Sequence, residues 1–334
     1  MLRAVAGRRL CIAPSRSVEV WKLGTVNFTD AWALQRCLHA QRAKAAVARQ
    51  RGEPADSFPD VLLVLQHPSV YTMGRGASTL GLKFDPRPFA GEGARSPMSE
   101  TVLAHLDGLA SQADAEIERC SDGGQFSLHR CDRGGQITWH GPGQVVVYPV
   151  LDLGAPDGAF AKDLAAYVHG LEDTVIGALG RSGIPVSRMD GYPGVWTRGG
   201  RKIAALGASA SRWVTLHGLS VNVDCDLAAF DRIVPCGIEG RGVTSAAAEL
   251  PAESVPSCPS MESAILDSFQ EVFGVECVET VGAPAGMAEA TARAGGAEAV
   301  AAQRAELEAE SGAGRRFDVL RAGTSTSGDL RERR

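Results

Sequence analysis

No stretch of this chain approaches the run of about 18 apolar residues that a membrane-spanning helix needs, so no membrane span is expected. A basic excess is missing too. Thirty-four Lys and Arg face 39 Asp and Glu, a net charge of −5. That balance argues against a nucleic-acid partner, which needs a basic footprint. No CxxC pair occurs among the eight cysteines, whose spacing is irregular. A chain of 334 residues can bury a core without disulfide staples, so most of these thiols are expected to be reduced and buried. His129 and Cys131, with Cys120 upstream, do not have the spacing of zinc ligands, and no metal is expected. The Walker pattern GxxxxGK[ST] is absent, so no nucleotide cofactor is implied. Acid is lacking at the N-terminus. MLRAVAGRRLCIAPSRSV holds four arginines, and the first carboxylate is Glu19. That composition is transit-peptide-like. Residues 1–17 read as an organellar leader, mitochondrial in preference to plastid because it is short.

What is present is an ordinary globular composition, 44% hydrophobic and 22% charged. VEVWKLGTVNF (18–28) reads as a strand and turn. A helix follows, with Thr29 as N-cap, Gly52 as stop, and Ala31, Leu34, Gln35 and Leu38 at helical spacing. VLLVLQHPSVY (61–71) opens as a buried strand. Residues 85–130 have little apolar periodicity and read as an insertion, partly disordered. Gln144–Leu153 is apolar on both faces, the mark of a central strand. Phe160, Leu164, Tyr167, Leu171, Val175 and Leu179 mark a long amphipathic helix. Short strands are expected at 194–197, 202–208 and 213–223, and the last places Trp213, Thr215, His217, Leu219, Val221 and Val223 on one face. A helix over 261–274 and an edge strand over 275–279 complete a domain of about 18–280. The Ala-, Glu-, Gly- and Arg-rich tail, 281–334, is expected to be disordered or marginally helical.

Two features carry chemistry. CDRGGQITWHGPGQVVVYPVLDL (131–153) puts its glycines before a strand, so it is not a phosphate cradle at a helix N-terminus. Glycine lets another chain or a ligand approach the backbone closely. Arg133, Thr138 and His140 add a charge and polar groups beside that opening. The loop is either a groove floor for an acyl chain or lysine side chain, or a tight turn with a packed histidine. Secondly, Cys236 stands on a bend between Pro235 and Gly237. Lys202 begins an otherwise apolar strand. Taken singly, the thiol reads as a small buried hydrophobe and the lysine as a strand-edge charge. As a pair they would form a coupled nucleophile and proton carrier, because the thiolate is the attacking form.

These stretches resemble a known family. RGGQITWHGPGQ (133–144), GRKIAALG (200–207), HGLSVNV (217–223) and VPCGIEGRGVTS (234–245) are similar to the motifs of the lipoyl(octanoyl) transferases of lipoic acid synthesis. GTVNFTDAW (24–32) and HPSVYTMGRG (67–76) fit the same family, and the likeness spans about 18–280. Trp139 departs from it, standing where Tyr or Phe is commoner. The resemblance implies an α/β fold of the biotin/lipoate-protein ligase type, a large mixed sheet with a smaller sheet and flanking helices. It implies that an octanoyl group leaves octanoyl-acyl carrier protein, joins Cys236 as a thioester, and passes to a lysine of a lipoyl domain. Such domains belong to 2-oxoacid dehydrogenase complexes and to the glycine cleavage H protein. Lys202 would lend its proton to the departing carrier sulfur in the first step and accept one from the incoming amine in the second. Substrate-binding positions carried over are Arg133, Gly134, Gly135, Gln136, Ile137, Thr138, Trp139 and His140; Ala205, Leu206 and Gly207; and Gly218, Leu219 and Ser220. No cofactor is required, since thioester exchange is close to neutral and amide formation is downhill.

Rival readings remain. An ATP-dependent lipoate- or biotin-protein ligase would use no nucleophilic cysteine, and Gly74-Arg75-Gly76 matches a biotin ligase's glycine–arginine loop only incompletely. A non-catalytic module that holds acyl carrier protein or a lipoyl domain would leave Cys236 and Lys202 without a task. A thiol hydrolase would need a Cys–His pair with an orienting acid, and none is legible.

Overall fold

The structure, a computed structural model, describes residues 16–54, 58–84, 126–156, 160–234, 241–279 and 287–312. Strands β1 (Ser17–Thr25), β2 (Asp60–Gln66) and β6 (Gln144–Val150) form half of a large mixed sheet. The other half holds β7 (Val186–Met189), β8 (Tyr192–Thr197), β9 (Lys202–Ser211) and β10 (Val214–Asn222), and β11 (Glu276–Val278) lies at one edge. The order is β11-β1-β2-β6-β10-β9-β8-β7. Strand β1 runs parallel to β2 and β11, and the remaining neighbours are antiparallel. The valine run of β6 is fully buried in the middle of this sheet, as its two apolar faces require. A second, three-stranded sheet has the order β4 (Ser127–Arg130), β3 (Val70–Met73) and β5 (Ile137–His140).

Helices cover both faces of the large sheet. Helix α1 (Phe28–Gln50) buries Ala31, Leu34, Gln35 and Leu38, the residues its spacing singled out. Its N-cap is Asn27, not Thr29. On the opposite face lie α2 (Leu164–Arg181) and α4 (Cys258–Phe273), separated in sequence by the four-residue α3 (Ala246–Glu249). Helix α2 is capped by Asp163, whose carboxylate accepts from the Ala165 and Ala166 N–H groups. Helix α4 ends at Gly274 in the left-handed region, φ 64°. The α2/α4 face holds Val145, Val147, Leu219, Val221 and Val223 in one core. The α1 face holds Val146, Tyr148 and Val150 in another.

Two expectations are narrowed. Within the tail expected to be disordered or marginally helical, the helical alternative holds for α5 (Met287–Arg293) and α6 (Ala297–Gly312), which also pack on the domain. Ala290, Ala294, Val300 and Leu307 join the α1 core. Arg304 pairs with Asp30, and Arg293 with Glu19. Strand β4 lies inside the stretch read as an insertion, of which residues 85–125 are outside the described ones. Of the stretch read as a leader, 1–17, residues 1–15 are outside them as well, while Arg16 pairs with Asp60 and Ser17 begins β1.

Candidate active site

A cleft of about 300 Å³ opens between the large and small sheets. One wall comes from two cross-strand pairs, Ala205 with Ser220 and Gly207 with Gly218. None of these carries a side chain larger than a hydroxymethyl group, so the wall is a trough. Leu206 and Leu219 also reach the cleft, although their side chains are packed into the α2/α4 core. The facing wall comes from Arg133, Gly135, Gln136, Ile137, Thr138 and His140. Twelve of the 14 carried-over substrate positions therefore line one cavity, together with Lys202.

The other two do not. The Trp139 ring lies edge-on to Phe230 in the small-sheet core, and its Nε1 donates to Ser69 Oγ at 2.9 Å. Gly134 instead brings two segments together. Its N–H donates to the Ala208 carbonyl at 3.3 Å, and a Cβ on facing Gly207 would sit 3.0 Å from the Gly134 oxygen. A Cβ at Gly74 would come within 2.4 Å of the Gly135 oxygen. The glycines thus serve approach of chain to chain, which draws the 133–135 loop against both β9 and the end of β3.

Arg133 is also more structural than its charge suggested. It is buried, and its guanidinium donates to Thr72 O at 2.6 Å, Gln136 O at 2.8 Å, Gly134 O at 2.9 Å and Thr72 Oγ1. These bonds staple the loop to β3. His140 is buried, with Nδ1 2.6 Å from Gln144 Oε1. Gln144 Oε1 can only accept, so His140 carries its proton on Nδ1. Burial and the neighbouring His67 hold His140 down to about 3, so it is neutral near pH 7. His67, lowered to about 4 chiefly by burial, bridges Val26 O and the Tyr148 hydroxyl.

Lys202 is buried at the start of β9, with its Nζ 5.4 Å from the Trp196 ring centroid. A Cβ at Gly194 would lie 2.4 Å from Lys202 Cε, so a glycine at that position, φ 121°, makes room for the lysine. The Lys202 N–H donates to Gly242 O at 3.0 Å, and its carbonyl accepts from Thr244 N–H at 2.9 Å. Residues 242–244, a few positions after Cys236, are thereby bridged to the backbone of Lys202. Cys236 itself lies outside the described residues.

A buried polar chain links the two walls. Gln144 Nε2 donates to Asn222 Oδ1 at 2.8 Å, and Asn222 Nδ2 donates to Thr244 O at 2.9 Å. His140 is thus connected to the strand pair at Lys202 through two amides, each of which has both ends used.

Phe28, Tyr148, Gly191, Tyr192, Pro193 and His217 line the cleft without having been singled out. His217 is the first residue of HGLSVNV, and Tyr148 follows the valine run, so both were legible by motif. Phe28 lies within GTVNFTDAW and was legible in the same way, whereas residues 191–193 had no local signal. His217 also departs from the expected strand face. Its φ is 58°, and its ring meets Trp32 and Tyr148 on the α1 side instead of Leu219 and Val221. Trp213 leaves that face as well, since with Arg212 it forms the turn between β9 and β10 at positive φ.

Comparison with known proteins agrees with this geometry. The Lipoyl protein ligase A/B catalytic domain family matches residues 108–270. Among solved structures, a bi-partite lipoate protein ligase from Thermoplasma acidophilum is similar in fold. It shows a TM-score of 0.51 at 12% identity, covering 87% of this chain and 91% of that one. An octanoyltransferase of Mycobacterium marinum is 41% identical over 238 residues, 70% of this chain and 79% of that protein. An octanoyltransferase of Gloeobacter violaceus is 39% identical over 271 residues, 81% of this chain and 93% of that protein. With a trough walled by glycine, alanine and serine and a buried lysine beside it, the chain belongs to the octanoyltransferase family.

Proposed function

We propose that this protein is an acyltransferase that moves an octanoyl group from acyl carrier protein to a lysine of a lipoyl domain, in lipoate biosynthesis, through a thioester on Cys236. The observation that carries the reading is the pairing of 242–244, the segment just after Cys236, with the backbone of Lys202 at the trough. In the first step Lys202 takes the Cys236 proton, and the sulfur attacks the thioester carbonyl. The carbon–sulfur bond to the carrier breaks, and Lys202 returns the proton to the departing sulfur. In the second step the target amine attacks the acyl-cysteine carbonyl. Lys202 accepts the amine proton and passes it to the Cys236 sulfur as the amide forms. One group acts as base and acid in both halves. His140, neutral and tied to Gln144, orients the facing wall. The acidic net charge suits neither nucleic acid nor an anionic surface. The acid-free, arginine-bearing leader supports import into a mitochondrion, with a plastid as the alternative.

Intact-mass spectrometry after mixing with octanoyl-acyl carrier protein, without ATP, tests this. The expected result is one added octanoyl group, released by hydroxylamine and missing in Cys236→Ala. Acylation that requires ATP and free octanoate would instead make the protein a ligase.

A further inference from the structure

The two ends of the cleft differ. Lys202 lies beside Trp196 and Gly194, where a Cβ would sit 2.4 Å from Lys202 Cε, while the exposed Gly191, Tyr192 and Pro193 form part of the cleft's open rim. Phe28, Tyr148 and His217 lie at the other end, all buried, with His217 only 1% exposed. Register fixes how far apart these ends are. His217 faces Ala208, six positions beyond Lys202 on β9. At a rise of about 3.3 Å per residue that is about 20 Å. An extended chain advances about 1.2 Å per bond, so an octanoyl tail needs about 8 Å. The lysine side chain, the reacting carbonyl and the imidazole take up the rest.

His217 is held at this end against its own conformational preference. A regular strand would turn its side chain to the α2/α4 face with Leu219. The ladder between β10 and β6 runs from Asn222 to Leu219 and stops short of Pro149, which has no N–H to offer. Beyond that point β10 adopts φ 58° at His217, and the ring crosses to the cleft face. Such a conformation in a non-glycine residue persists only where its surroundings fix it. Here they do. Nε2 lies 2.7 Å from Asp132 Oδ1, Arg36 stands 3.5 Å from the other oxygen of that carboxylate, and Gln35 Oε1 accepts from the His217 N–H at 2.8 Å. The ring is too far from Lys202 to share in proton transfer.

We infer that His217, braced by Asp132 and Gln35, is the end-stop of the acyl slot and the residue that sets the acyl length this protein accepts. The inference rests on the acyl-transfer reading and extends it to substrate choice. Removing the ring should open space for further methylenes, each worth roughly fourfold in preference when buried. His217→Gly suits the test because glycine adopts positive φ without strain.

The experiment compares kcat/KM for hexanoyl-, octanoyl-, decanoyl- and dodecanoyl-acyl carrier protein in the full chain and in His217→Gly. The expected result is a decanoyl-to-octanoyl ratio that rises about 15-fold in the variant, for two added methylenes. Loss of fold alone would lower every chain length together, and an unchanged ratio with octanoyl transfer retained overturns the inference. Should His217→Gly not fold, the unaltered protein is loaded with an octanoyl group bearing a diazirine at its terminal carbon. Photolabelling at His217, Phe28 or Tyr148 supports the end-stop, and labelling at Gly194 or Trp196, beside Lys202, overturns it. A wild-type protein that transfers no acyl chain of any length overturns the acyl-transfer reading itself.

Discussion

The carbonyl of Lys202 accepts a hydrogen bond from the Thr244 N–H at 2.9 Å, and the Lys202 N–H donates to Gly242 O at 3.0 Å. The two bonds form a short parallel bridge between β9 and the chain that emerges from the cysteine segment. They fix the lysine and one end of that segment to each other through backbone alone, independently of either side chain.

Lys202→Met keeps the length and apolar stem of the side chain but removes the proton carrier. Octanoyl transfer should fall by about 10²- to 10⁴-fold, the range for losing a general acid–base group. The thermal melt should move little, because the backbone bridge remains. Stopped-flow acylation and calorimetry check the two halves. A variant that acylates at the wild-type rate would remove Lys202 from the mechanism.

Asn222→Leu takes the side-chain donor from the Thr244 carbonyl and leaves Gln144 Nε2 only its longer bond to Trp139 O, at 3.3 Å. Each buried polar group left without a partner costs about 1–3 kcal/mol. Urea unfolding should show a lowered midpoint with an unchanged slope. Octanoyl transfer should fall as well, because both Lys202 and His140 are tied to this chain. Full stability in Asn222→Leu would mean that the amide chain is dispensable.

Gly74→Ala puts a methyl group 2.4 Å from the Gly135 backbone oxygen, where no side chain can yield. The loop carrying Arg133 must shift, at a cost of about 1–3 kcal/mol, as overpacking usually exacts. Acylation should slow together with the drop in melting temperature. Unchanged melting would show that the close approach of these loops is not required.

Leu307→Ala tests the docking of α6 on α1. Leu307 is fully buried in the α1 core, and such truncations cost about 2–5 kcal/mol. The melting temperature should fall by several degrees without change in the chain-length preference. No shift would mean that the C-terminal helices are not part of the folded unit.

Stability should fall on mild acidification. His67 is lowered to about 4 and His140 to about 3, mainly by burial, and His217 is lowered for the same reason. The unfolded chain protonates these rings near pH 6.5, so below that pH it binds more protons than the folded protein. Stability therefore drops by about 1.4 kcal/mol per pH unit for each ring, from about pH 6.5 toward the folded values. Asp132 acts lower down. Burial pushes its carboxyl up, but the hydrogen bond from His217 and the charge of Arg36 together outweigh that and hold it down to about 2. Its contribution is complete above the ordinary carboxylate range and disappears as pH falls from about 4 to about 2. Denaturant midpoints between pH 4 and 7.5 check the slope, and a flat profile would contradict the burial of these rings.

Much of this site could be read one segment at a time. The β6 valine run, the amphipathic faces of α1, α2 and α4 and the edge strand β11 follow from local periodicity, because each buries a face that the sequence itself marks. Lys202 and the RGGQITWHGPGQ loop were legible as motif. The docking of α5 and α6 was not, since their contacts rest largely on alanines such as Ala290 and Ala294. Alanine is apolar enough to pack but too small to stand out against an alanine-rich background.

The sequence by itself determined which residues are chemically capable, and the strands and helices that carry them, since both depend on side-chain type and on neighbours a few positions away. Tertiary structure alone decided which of them meet. Trp139 turned into the small-sheet core, Arg133 became a staple, and Phe28 and Tyr192 reached the cleft from far along the chain. His217 crossed to the slot because Pro149, on another strand, has no N–H to continue the ladder. Period-two alternation is a property of a regular strand, and only the neighbouring strand determines where that regularity ends.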